Sequence, residues 1–380
     1  MKKARLSILL SMMLMVSLLL TGCGGGEEKK TEGENTTGGD TIKIGFLGAK
    51  TGNHAAFGIP TLEGMKMAAE DINKAGGLLG KQIEIVEEDH GSKNTEGANV
   101  TQKLITRDKV VAVVGDPTTA ITKIAAPIAQ QNKVVLLSAG AVGTGVVEIG
   151  DYIFRDTLLD AVAAPSVTKY VKESMGWKKV ALVTSMNNDY SVGLSKLFEA
   201  ALVENGVEII AKQSIQDGDQ NFSAQVTAIK DKNPDGIVFT GYYTEGGLFM
   251  KEVRKQGIKA VMVGGDGLLG DVLMKMGGEA VEGSMVYCGF AADENKAGEK
   301  TKQFIEAYKA GNNGSLPDMF AAQGYDAIML IADAIKNANS DEPEKFREEL
   351  AKTKDWAGVS GTITFQDNRE PIKSPVYLLK

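Results

Sequence analysis

Six short segments carry the residues best suited to hold a small charged molecule, and each follows an apolar run. In the first half they are Lys50-Thr51-Gly52-Asn53 with Phe57 close behind, Asp116-Pro117-Thr118-Thr119, and Ser138-Ala139-Gly140-Ala141-Val142-Gly143. In the second half they are Asn187-Asn188-Asp189-Tyr190, Gly241-Tyr242-Tyr243 and Gly264-Gly265-Asp266-Gly267. Thr118 and Thr119 open a helical stretch. Hydroxyls there, with unpaired N–H groups and the helix dipole, suit a carboxylate or other anion, or serve simply as an N-cap. Asp266, set among glycines, offers a partner for an ammonium group or is a turn residue. Tyr190 and Tyr242, with Phe57 opposite, form an apolar wall or pack locally. An anion site, a cation partner and an apolar wall together describe a zwitterion with an apolar side chain.

The inventory is poor in catalytic chemistry. There are two histidines, His54 and His90, and no His-x-x-x-His or Cys-x-x-Cys spacing for a metal. The nucleophile-elbow pattern Gly-x-Ser-x-Gly is absent. Gly140 to Gly145 follows a strand, but its order is G-x-x-G-x-G rather than that of a dinucleotide loop, so it reads as backbone approaching a ligand or turning sharply. Asp89 and His90 form a metal or acid–base pair, or a solvated strand end; the strand end is the expectation. No enzyme, cofactor or metal is therefore expected.

These segments need a scaffold that places them at one end. Short apolar runs alternate with helical stretches from residue 41 onward. Strands are expected at 42–47, 83–87, 110–115 and 134–138, with helices at 57–75, 94–107 and 119–131. The alternation restarts after Asp160, with strands at 180–185, 207–213, 237–240 and 261–263. Most strands are continuous Val/Ile/Leu runs, as in parallel sheets covered on both faces. The fold class is α/β: two Rossmann-like doubly wound lobes, each a βαβ array, with ligands beyond the carboxyl ends of the strands. Late helices near 299–309, 319–337 and 344–353 suggest a return to the first lobe.

The N-terminus reads as an export signal. Lys2, Lys3 and Arg5 precede an apolar run over 6–20, too short to span a bilayer. Leu20-Thr21-Gly22-Cys23 follows, the order a lipoprotein signal peptidase needs. Residues 1–22 are thus expected to be removed and Cys23 to carry lipid, holding the protein outside the cytoplasm on a membrane. Residues 23–40 contain no large apolar side chain and form a tether. Losing three cations takes the formal net charge from −7 to −10, which argues against nucleic acid as a partner. Cys288 is then the lone thiol, so no intrachain disulfide is expected.

The segments IKIGFLGAKTGNHAAFG, GMKMAAEDINKAGGLLGKQIEIVEED, VVAVVGDPTTAITKIAAPIAQQNKVVLLSAGA, FRDTLLD, VALVTSMNNDYSVGL, PDGIVFTGYY and GVSGTITFQDN resemble the leucine/isoleucine/valine-binding protein family, the type I substrate-binding proteins of ABC importers. The resemblance covers residues 41–380. It implies two lobes (41–159 with 290–372, and 160–289 with 373–380) joined by a three-strand hinge near Leu159, Gly289 and Lys373. It implies that Thr119, with backbone amides after Ser138 (those of Ala141 and Val142), holds an α-carboxylate. The Gly140 carbonyl and Asp266 hold an α-ammonium, and Phe57, Tyr190 and Tyr242 line the pocket. Thr118 stands where the family often has a disulfide cysteine, and Asp160 is an acidic hinge residue. Val142 replaces a threonine common in branched-chain amino acid binders. The implied function is delivery of an amino acid by a monomer to an ABC permease and its ATPase subunits. A tethered sensor, or binding of an amide or other small carboxylate, stays open.

Overall fold

The computed structural model describes residues 41–380; the expected signal peptide, Cys23 and the tether lie outside the described residues. The first sheet contains β1 (Ile42–Gly48), β2 (Ile83–Asp89), β3 (Ala112–Gly115), β4 (Val135–Ser138) and β5 (Ile153–Arg155). All its strands are parallel, in the order β2-β1-β3-β4-β5. The helices α1 (Ala55–Lys74), α2 (Asn94–Thr106) and α3 (Thr119–Gln131) alternate with these strands. β3 and β4 are buried at every residue, which is why they read as unbroken apolar runs.

After β5 the chain enters a second array: α4 (Asp160–Glu173), β6 (Lys179–Ser185), α5 (Asp189–Glu204), β7 (Glu208–Ile215), α6 (Ser223–Lys230), β8 (Gly236–Thr240), α7 (Tyr243–Lys255), β9 (Val261–Gly264), α8 (Asp271–Gly277) and β10 (Met285–Cys288). α9 (Glu299–Gly311), α10 (Met319–Ala338) and α11 (Pro343–Ala351) follow, then a small antiparallel sheet of β11 (Trp356–Ala357), β12 (Thr362–Phe365) and β13 (Pro371–Ser374), and finally β14 (Tyr377–Leu379). β14 closes the edge of the second sheet, antiparallel to β10, in the order β14-β10-β9-β8-β6-β7.

α10 returns to pack on α1 of the first lobe. Two glycines permit the contact: an added Cβ at Gly64 would sit 1.9 Å from the Ala321 carbonyl oxygen, and one at Gly324 would sit 2.2 Å from that of Thr61. A buried cluster ties the chain segments that pass between lobes. Lys373 Nζ donates to the Ser360 hydroxyl at 2.7 Å and to the Asp156 carbonyl at 2.5 Å. Asp326 accepts the N–H groups of Val359 and Ser360, both at 2.8 Å. Burial pushes the Asp156 carboxyl up to about 8, with Lys373 opposing. Cys288 is buried, its thiol turned to the Phe290 carbonyl and pushed up to about 12 by burial. No helix among the described residues is long and apolar enough to cross a membrane.

Candidate functional site

The strand ends of both sheets face each other across a cleft, and eight of the expected residues line one small cavity there: Phe57, Thr118, Thr119, Gly140, Val142, Tyr190, Tyr242 and Asp266. Pro117, Gly267 and Phe320 complete the wall. The cavity measures about 10 Å³, room for roughly one water. An amino acid therefore enters only when the lobes and rings move apart.

The first-lobe side is built on α3 and the loops around it. Thr119 is the first residue of the helix, and its Oγ1 accepts the Gly143 N–H at 3.1 Å. Its own hydroxyl proton is left to donate, beside the unpaired N–H groups of the first turn. Thr118 faces the cavity but is not the donor its type suggested. Its N–H and hydroxyl both turn to Asp116 Oδ1, the N–H at 2.7 Å. Ser138 and Ala141 do not line the cavity; they shape it. The Ser138 hydroxyl donates to the Asp116 carbonyl at 2.7 Å and accepts the Ala141 N–H at 3.0 Å. The Ala141 amide is thereby taken, and of the two loop amides expected to hold a carboxylate only that of Val142 keeps its proton free. Gly140 adopts φ +148°, and a Cβ there would lie 2.9 Å from Pro117 Cα, so a side chain would collide with the wall.

Arg155, at the end of β5 and 2% exposed, holds this loop from behind. Nη1 donates to the carbonyls of Ala141, at 2.9 Å, and Gly143, while Nε and Nη2 form a fork on Glu370, Nε at 2.7 Å. Its role does not follow from residue type alone; the signal in the sequence is a lone arginine closing an apolar strand.

The second-lobe side presents Asp266 in a short turn after β9. The side chain is 5% exposed. Burial, and then the neighbouring Asp160 carboxyl, hold its pKa well above the usual carboxylate range, with the Tyr190 hydroxyl pulling the other way. Asp160 lies behind the wall rather than in it. It opens α4, accepts the Tyr287 hydroxyl at 2.7 Å, and is pushed up to about 7 by burial. The Tyr190 hydroxyl also accepts the Gly267 N–H at 3.2 Å, and its ring stacks on Tyr242 at 5.5 Å with 5° between planes. Across the cleft, Phe57 meets Tyr242 at 5.4 Å and Tyr243 at 4.8 Å, edge to face. Tyr243 donates to the Asn53 carbonyl, and Lys123 on α3 pairs with Asp189 on α5 at 3.6 Å.

One expectation is corrected. His90 is not at a solvated strand end. It is buried, with Nε2 2.6 Å from Asp116 Oδ2. Asp89, its neighbour, is the exposed residue, and binds the Lys50 and Gly91 N–H groups at 2.9 and 2.8 Å. The strand ends at Asp89, whose side chain turns outward, while His90 turns into the protein toward Asp116, so the two form no pair. No His, Cys, Asp and Glu group suited to a metal occurs among the described residues.

Thr119 expects loss of its donor to be felt. Thr119→Val keeps the shape but removes the proton and the acceptor for Gly143. Ligand affinity is expected to fall about tenfold, near 1–2 kcal/mol, and the thermal midpoint to drop as well because the buried Gly143 N–H loses its acceptor; calorimetric titration and thermal melts check this.

Two doubly wound lobes meeting at a cleft, with a helix N-terminus on one side and a carboxyl on the other, define the type I periplasmic binding protein fold. The chain belongs to the periplasmic binding protein family, whose model matches residues 41–380. It is 29% identical to the Leu/Ile/Val-binding protein homolog 3 of Brucella melitensis over 88% of this chain and 90% of that one. It is similar to the branched-chain amino acid transporter substrate-binding protein of Streptococcus pneumoniae, solved with isoleucine, at 36% identity and TM-score 0.84, covering 89% of this chain and 95% of that one. It is also similar to a solute-binding protein of an ABC transporter from Rhodopseudomonas palustris, solved with 3,4-dihydroxybenzoic acid, at 26% identity and TM-score 0.78, covering 89% and 92%. Its relatives are transport proteins rather than enzymes.

Proposed function

We propose that this protein is the extracytoplasmic binding component of an ABC importer and that it carries an α-amino acid, with leucine, isoleucine or valine as the best fit. The observation that carries the reading is the opposition of Thr119, at a helix N-terminus, to Asp266, with Phe57, Tyr190, Tyr242 and Phe320 between them. The carboxylate docks on Thr119, the Val142 N–H and the first turn of α3. The ammonium meets Asp266 and the Gly140 carbonyl, and the side chain packs on the rings. The lobes, 41–159 with 290–372 and 160–289 with 373–380, close by a hinge motion that excludes water and strengthens both charge contacts. The relatives that carry branched-chain amino acids support this choice. The closed form is then read by a permease, and ATP is hydrolysed by other subunits.

Calorimetric titration of the protein with a panel of amino acids, after unfolding and refolding to strip carried-over ligand, tests the reading. One-to-one binding of leucine, isoleucine or valine at micromolar or tighter affinity supports it. A second reading is a small carboxylate without an ammonium group. The raised pKa of Asp266 favours it, since a protonated carboxyl needs no ammonium opposite it and donates a hydrogen bond to an uncharged acceptor on the ligand. Binding of a benzoate but of no amino acid would select it.

We further propose that Cys23 carries the lipid anchor. Cys23→Ser is expected to abolish incorporation of a labelled fatty acid and to leave the precursor uncut. Labelling that persists in the variant would exclude that cysteine.

A further inference from the structure

Asp116 is the junction of the carboxylate-binding side. It is 1% exposed. One carboxylate oxygen takes both donors of Thr118, and its backbone carbonyl takes the hydroxyls of Thr122 at 2.9 Å and Ser138 at 2.7 Å. Through Ser138 the same junction reaches the Ala141 amide. The second carboxylate oxygen meets His90 Nε2 at 2.6 Å. Among the described residues His90 is the side chain paired with Asp116, and it is a cation when protonated. We propose that His90 is a positioning residue for the bound carboxylate: it ties the end of β2 to the loop before α3 and neutralises Asp116, so that a second anion can dock beside it.

The electrostatics decide the direction. Pro117 and Thr118, next along from Asp116, line the cavity. With His90 neutral, Asp116 is an uncompensated buried anion, and a ligand carboxylate arriving at Thr119 is repelled. With His90 protonated the pair has no net charge, and the repulsion disappears. Burial lowers the His90 pKa, but the hydrogen bond and charge of Asp116 outweigh it, and the net shift is upward. The other charged or titratable groups whose charge reaches His90 are Asp89, just before it in the chain but turned to the surface, and His54, just before α1. Asp89 is occupied by Lys50, Thr51 and Gly91. The pKa of His54 is lowered, chiefly by burial. His54 therefore loses its proton first, and His90 holds its own to higher pH than an ordinary imidazole does. Asp266 titrates on the opposite side of the cleft and is common to any pair of proteins differing only at His90.

The inference rests on reading the Thr119 side as a carboxylate site. The test compares wild type with His90→Gln, titrated with L-leucine, L-isoleucine and L-valine from about pH 6 to about pH 9. The variant is expected to bind about tenfold more weakly at the acid end, with the ratio of affinities falling toward one as His90 loses its proton. A ratio that stays constant with pH would reduce His90 to packing and overturn the proposal, as would no loss at all. Should the variant not fold, the wild-type imidazole titration suffices. With two histidines in the chain, the imidazole signals in proton NMR are readily assigned by comparison with a His54→Gln variant, and saturating leucine is expected to raise the midpoint of His90. An unchanged midpoint overturns the proposal. Failure of wild type to bind any of the three amino acids is a separate result: it removes the amino-acid reading and this inference with it.

Discussion

Asp266→Asn is expected to weaken amino-acid binding by about two orders of magnitude while making the ligand-free protein more stable at neutral pH. The first effect follows from removing one partner of a desolvated charge pair, which costs about 3 kcal/mol in such settings. The second follows from the carboxyl's surroundings. Burial and the Asp160 carboxyl raise the Asp266 pKa in the folded chain. A group raised on folding contributes stability that is fully present below its unfolded value, about 3.9 for aspartate, and is lost as pH rises through the folded value. The asparagine has no such loss. Its advantage over wild type should be absent in acid and grow toward alkaline pH, as thermal melts across that range will show. The same logic requires that binding of an ammonium group drive a proton off Asp266. Binding enthalpies of wild type should therefore vary with the ionisation heat of the buffer, and those of Asp266→Asn should lose the Asp266 share of that variation. A variant that binds leucine as wild type does would remove Asp266 as the partner of the ammonium group.

The second large effect lies behind the first-lobe loop. Arg155→Met leaves Glu370 and the carbonyls of Ala141 and Gly143 without their donors, in a place where Arg155 is 2% exposed. Breaking a buried pair from one side costs about 3–5 kcal/mol, and chemical denaturation is expected to register a loss of that size. Affinity should fall as well, because the loop from Gly140 to Gly143 loses the support that sets the Val142 amide and the Gly143 bond to Thr119. The double variant Arg155→Met, Glu370→Leu separates the two. It is expected to recover much of the stability, since no charge is left unpaired, and little of the affinity. Recovery of both would make the arginine a matter of packing alone.

The residues that touch the cavity were largely legible because each follows a strand in the chain, and a parallel sheet gathers the ends of its strands in one place. Thr119, Gly140 and Asp266 needed only that rule. What lay beyond it was direction. Thr118 and Thr119 are chemically alike, yet one turns inward to Asp116 and the other to the cleft, a difference set by where Asp116 sits across a loop. Asp89 and His90 look like a pair in sequence, but the chain leaves the strand between them, one turning outward and the other in to Asp116. Phe320 escaped notice because it arrives from α10, far along the chain, and its neighbours Met319 and Ala321 are equally apolar. The two-lobe architecture was read from the repeated alternation of apolar runs. The short β5 and β13 were not, since three or four residues carry too little pattern to separate from a loop.

The most direct test is a crystal structure of the protein with the amino acid that binds most tightly in the titration panel. The account predicts the ligand carboxylate within about 3 Å of Thr119 Oγ1 and the Val142 amide, the ammonium on Asp266, and the side chain among Phe57, Tyr190, Tyr242 and Phe320. A ligand bound in the reverse sense, or seated away from Thr119 and Asp266, would contradict it.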